Sequence, residues 1–229
     1  MSRSHRSILI LLALTFALCL EAQAQTTEAE FWPTGNFNYD ITTGLRLQLN
    51  GERADEEGER RIQTKYGAYL NYRMKRIVSR LTHIDSEDHY YITMSLGYEY
   101  VTPSGEDRLV VQGTPRYQPG LGILLTDRSR FEFRWLEPGY DFRYRNRLTA
   151  KRNIRLGKVN LSPYAAGEVY WDRKYHAFNE NSYSFGVEHP FKNWFMLDTF
   201  YQRQNCNTCS KEKINVLGLS VNFFFGKKR

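Results

Sequence analysis

Polar and apolar residues alternate with a period of two along most of this chain, and that period commits it to β-structure. Over residues 37–49, Phe37, Tyr39, Ile41, Leu45, Leu47 and Leu49 share one face, and Asn38, Asp40, Thr42, Arg46 and Gln48 share the other. The run outlasts the roughly five or six residues usual for strands of soluble sheets. The pattern recurs over 61–74, 90–101, 108–125, 129–135, 140–149, 159–171, 181–189, 194–203 and 213–225. Residues 108–125 are less regular, although Tyr117, Leu121, Ile123 and Leu125 share a face. Ten strands are predicted, and no amphipathic helix of ordinary length competes with them.

The connectors sort into two classes. Those near 50–60, 102–107, 136–139, 172–180 and 204–212 are mostly longer and polar, whereas 126–128 and 190–193, on the other side, are tight. The remaining connectors of that side are 75–89 and 150–158. Short turns at one rim and longer loops at the other are the habit of an outer-membrane barrel.

The start of the chain supports export. Arg3, His5 and Arg6 precede an unbroken apolar run at 8–20, and Ala22-Gln23-Ala24 is a small-x-small cleavage site, so residues 1–24 read as a secretory signal peptide. Removing them takes away Arg3, Arg6 and Glu21, and the formal charge falls from +7 to +6. No other run approaches the ~18 apolar residues of a membrane helix. The remaining organisation is a lead-in at 25–35, a barrel at 36–225 and a basic tail at 226–229. The fold class expected is all-β: a single antiparallel transmembrane β-barrel of about ten strands, made after a cleaved signal peptide. The expected location is the outer membrane of a Gram-negative bacterium.

The two faces carry different chemistry. The aromatic-rich face suits outer-membrane lipids, with Trp135 and Trp171 as anchors near strand ends. A last strand carrying Phe223 and Phe225 favours a membrane barrel; the aromatic residue that the outer-membrane insertion machinery reads is commonly the last of such chains, whereas here four residues follow Phe225. The polar face carries Arg130, Glu132 and Arg134 on one strand and Asp141, Arg143, Arg145 and Arg147 on the next, with Glu168, Glu188 and Asp198 on later ones. These ten residues are the candidate lining of the lumen. Guanidinium groups offer several fixed donors to each carboxylate, so the face reads as a salt-bridged filling or as an Arg-lined path for a small anionic solute or ligand.

Other motifs carry less. Cys206 and Cys209 form a CNTC sequence in a connector. With no second CxxC and no His-x-His nearby, a small loop disulfide is expected rather than zinc. No cofactor motif is present. His83 and Ser86 fall in a predicted turn, and His176 lies near Asp172 and Glu180, so no nucleophile is seen within reach of a base. The basic residues are spread over strands and interleaved with acids, which does not describe a nucleic-acid partner.

The segments TPRYQPGLGILLTDRSRFEFRWL, FRYRNRLT, LSPYAAGEVYWDRKYHAFNENSYSFGVE, YQRQN and VLGLSVNFFF, spread over 114–225, resemble the bacterial outer-membrane proteins grouped as Domain of Unknown Function 2490. The resemblance implies an outer-membrane barrel with Arg- and Glu-bearing strands and no assigned activity, and it carries over no catalytic residue. The expected function is therefore non-enzymatic: a narrow conduit, or a structural or binding barrel with an Arg/Glu-lined interior. An outer-membrane lipid-modifying hydrolase and a soluble periplasmic lipocalin-like carrier are the alternatives.

Overall fold

The computed structural model describes residues 28–55, 62–75, 90–120, 122–137, 139–157, 159–207 and 213–226. The expected signal peptide and residues 227–229 of the basic tail lie outside them. All regular structure among the described residues is strand. In chain order these are β1 (Glu28–Asp40), β2 (Leu45–Asp55), β3 (Ile62–Lys75), β4 (Tyr90–Thr102), β5 (Glu106–Gly120), β6 (Ile123–Leu136), β7 (Gly139–Arg152), β8 (Ile154–Leu156), β9 (Val159–Asp172), β10 (Ala177–Lys192), β11 (Phe195–Cys206) and β12 (Lys213–Gly226).

Eleven of the twelve close into a barrel, and the three-residue β8 pairs with the start of β9 as an extra strand. Neighbours round the ring are antiparallel except at the closure, where β1 runs parallel to β12 from Glu28 opposite Ile214 to Asp40 opposite Gly226. An odd ring of alternating strands must close this way. The beginning of β1 and the end of β12 consequently lie at opposite rims.

Three sequence expectations are corrected. Residues 37–49 are a hairpin, with the turn at Ile41–Gly44 held by the Thr42 hydroxyl, which accepts from the backbone N–H of Gly44 (3.3 Å) and Leu45 (3.0 Å). Cross-strand partners such as Tyr39 and Leu47 stand an even number of residues apart, so alternation passes through the turn in phase and hides it. Ten strands thereby become eleven, plus β8. The connector expected at 126–128 lies inside β6, and the chain turns instead just after Gly120, with Gly122 at φ +69°. Tyr117 and Leu125 again sit opposite each other in phase. Finally, β1 begins at Glu28, within the expected lead-in, because Pro33 and Gly35 on its outer face break the apolar pattern. The difference in loop length between the rims also narrows. The strands extend into the longer connectors, and the end of β3 at Lys75 and the start of β4 at Tyr90 lie at the same rim as the turns at 41–44 and 193–194.

The outward face is apolar. Phe37, Tyr66, Leu96, Phe185 and Leu217 are exposed on it. The inward face is mainly polar, with Val101, Val110, Ile214 and Val216 buried among the polar groups. Three inward glycines lie beneath aromatic rings of the neighbouring strand: Gly97 under Tyr69, Gly186 under Tyr164 and Gly218 under Phe200. A side chain at any of them would meet the ring, so glycine is what lets these rings lie flat on the inner wall.

Candidate lumen site

The wall from β4 to β9 carries an extended ion-pair network. In register, Arg128 faces Arg147 and Arg130 faces Arg145 across β6 and β7. Like charges directly opposite repel, so both pairs require carboxylates between them. Glu132 accepts from Arg130 Nε at 2.6 Å and from Arg145 Nη1 at 3.2 Å. Glu99 on β4 accepts from Arg130 Nη2 at 2.8 Å and from the Tyr69 hydroxyl. Glu168 on β9 accepts from Arg128 Nη2 at 2.7 Å and Arg145 Nε at 2.9 Å, with Arg147 Nη1 at 3.6 Å. Arg145 also lies over the Tyr170 ring, 4.6 Å from its centroid.

Toward one rim the same logic repeats. Glu106 holds Arg108 Nε at 2.6 Å and also binds Arg134, which reaches Asp141 at 3.4 Å. Arg143 pairs with Asp172 at 3.2 Å. Glu99 and Glu132 are both 0 % exposed, so these carboxylates depend wholly on their partners.

Of the ten residues expected to line the lumen, eight lie in this network: Arg130, Glu132, Arg134, Asp141, Arg143, Arg145, Arg147 and Glu168. Glu188 and Asp198 sit apart near the other rim, as cross-strand partners on β10 and β11. Glu188 binds Lys151 Nζ at 3.0 Å, and Asp198 accepts from the Tyr164 hydroxyl at 3.3 Å. Tyr69, Glu99, Glu106, Arg108 and Arg128 are not among the expected lining, and Asp172, noted in the sequence only beside His176, joins the network through Arg143. Arg128 was hidden by the misplaced turn, although it stands in phase with Arg130, Glu132 and Arg134.

Beside the network is a cavity of about 740 Å³. One wall is the arginine wall, and the rest of the lining presents amides, among them Asn36, Gln48, Asn50, Gln202 and Gln204, together with Glu30, Glu180 and the Glu52–Lys65 pair. The lining begins at Ser104, Glu106 and Leu136 near one rim and extends inward to Asn36, Gln48 and Arg147. Toward the other rim, further polar pairs stand on the inner wall. Asp40 takes Arg46 at 2.7 Å and Arg73 at 2.8 Å, and Asn38 Nδ2 donates to the Phe223 carbonyl at 3.2 Å.

Cys206 is buried and disulfide-bonded, while Cys209 lies outside the described residues. So do His83 and Ser86. His176 stands in the 173–176 turn at φ +50°, and His189 stacks on Phe191 with ring centroids 6.1 Å apart.

Comparison with curated proteins and with solved structures finds no match. A family model described as a protein of unknown function, DUF2490, matches residues 29–215, most of the length, and the chain belongs to that family.

Proposed function

We propose that this chain is a non-enzymatic outer-membrane β-barrel whose lumen is filled along one wall and offers a blind polar cavity to a small solute, rather than a conducting path. The observation that carries this reading is the inversion of the barrel: ionised residues are buried inside, and large aromatic and aliphatic side chains stand exposed outside. A soluble carrier would bury its apolar face around a ligand. This exterior makes sense against lipid, because every backbone group of a closed barrel is paired. Aromatic groups gather toward both rims, as membrane interfaces favour. Trp135 and Tyr140 pack at 5.9 Å toward one, and Phe191, Trp194, Phe195, Phe223 and Phe225 form a chain of ring contacts toward the other.

The cavity supports a binding role. Its size falls within the range of small-molecule sites. The arginines are matched by carboxylates and the amides opposite bond one another, Gln48 Nε2 donating to Asn36 Oδ1 and Gln202 Nε2 to Gln204 Oε1. The class that fits is a small polar solute able to exchange hydrogen bonds with both walls.

Membrane fractionation tests the reading. The expressed protein should remain with the outer membrane through an alkaline wash and migrate faster on an unheated gel than on a heated one. Release into the wash as a folded protein would reject it.

A further inference from the structure

The cavity holds a carboxylate that the barrel leaves unmatched. Glu180 lines it and is 8 % exposed, yet its side chain has no hydrogen bond and no ion pair among the described residues. The cations nearby are already committed: each arginine of the lining, and Lys65, has a carboxylate oxygen within 3.6 Å. The register shows why none of them turns to Glu180. Tyr170 is the cross-strand partner of Arg145 on one side and of Glu180 on the other. Arg145 lies over the Tyr170 ring and donates from Nη2 to the Tyr170 hydroxyl at 3.2 Å, so in this row Tyr170 separates the guanidinium from Glu180. On its other side Glu180 is paired with the buried, uncharged Cys206.

A β-bulge aims this side chain inward. Between Phe178 and Glu180 the register against β9 shifts, with Asn179 as the extra residue. The backbone N–H of Asn207 donates to the Asn179 carbonyl at 2.8 Å and fixes the bulge. Phe178 stands exposed on the outer face, and strict alternation from it would put Glu180 outward too; with the bulge, Asn179 and Glu180 are both buried. Bulges are found where a side chain is re-aimed beside a site, and an ionised carboxylate held out of water is costly without a counter-charge.

We propose that Glu180 is the counter-ion of a small organic cation, so that the solute held in this cavity is a polar molecule bearing an ammonium group. The inference rests on the binding reading above and narrows its class. An anion would meet an unmatched carboxylate and guanidinium groups that are already neutralised. A neutral solute would leave the charge of Glu180 without a partner. A metal ion needs more ligands, and among the described residues no group of three His, Cys, Asp or Glu gathers to hold one. An ammonium gives Glu180 a charge-assisted hydrogen bond and keeps further donors for the amide oxygens of the lining.

Three polyols of one chain length test this on the full-length protein, extracted and kept folded in detergent: glucamine, sorbitol and gluconate, which are cationic, neutral and anionic at neutral pH. Titration calorimetry should show glucamine bound about tenfold more tightly than the other two, the margin of a charge-assisted hydrogen bond over a neutral one. Glu180→Gln should abolish that preference. Asp107→Asn, which removes an outward carboxylate bonded to Tyr98, should leave it intact. If Glu180→Gln does not fold, seen as loss of the heat-dependent gel shift, the ranking of the three polyols on the unaltered barrel decides. Equal binding of all three, tightest binding of gluconate, a glucamine preference that survives Glu180→Gln, or one lost equally in Asp107→Asn would each overturn the counter-ion role and leave the cavity reading standing. Binding of none of the three by the folded barrel would overturn both.

Discussion

Glu132 shows how single residues carry this barrel. Its carboxylate is fully buried between Arg130 and Arg145, which would otherwise face each other as like charges. Taking ions out of water is costly, and a buried pair repays that cost only while both sides are present. Glu132→Gln keeps the shape and removes the charge, so it should destabilise the folded barrel by about 3–5 kcal/mol. The urea midpoint of the loss of the heat-dependent gel shift measures this, and a change below ~1 kcal/mol, the size of an exposed pair, would contradict the role given to Glu132. The network was partly legible in the sequence. Arg130, Glu132, Arg134, Arg143, Arg145 and Arg147 fall on one face by alternation alone. Two further partners were not legible, because Glu99 and Glu106 come from strands two and one removed, and only the register brings them within reach.

At the scale of elements, alternation located the strands but not every turn. A turn whose cross-strand partners stand an even number of residues apart leaves the alternation in phase, and this barrel has two such turns that the pattern passes over. The consequence is topological: the extra hairpin makes the ring odd and forces β1 to close against β12 in parallel. The seam is held by side chains as well as backbone, with Asn36 Nδ2 donating to Ser220 Oγ at 3.0 Å and Phe37 stacked on Phe225 at 4.7 Å. Adjacent strands lie ~4.8 Å apart, within the span of a disulfide. Gly35 and Val221 are partners across the seam. The double variant Gly35→Cys, Val221→Cys should therefore form an intramolecular disulfide on oxidation, visible as a thiol-dependent gel shift. Persistence of both free thiols in the folded protein would contradict the eleven-stranded closure.

For the whole molecule, charge and amides concentrate within and large aromatic and aliphatic groups without, the distribution on which the proposed membrane reading rests. That inversion was visible in the sequence as two opposed faces, but alternation does not say which face points in. The closed ring and its buried ion pairs supply that. The interior was expected as either a filling or a path, and the reading proposed above is a filling along the arginine wall beside a polar cavity whose lining extends inward to Asn36, Gln48 and Arg147. Planar-bilayer conductance of the refolded protein across a salt gradient tests this most directly. A barrel that inserts, shows its heat-dependent gel shift and gives no steady current steps is the predicted result; steady anion-preferring steps would contradict the filled lumen and restore the arginine wall as a conducting path.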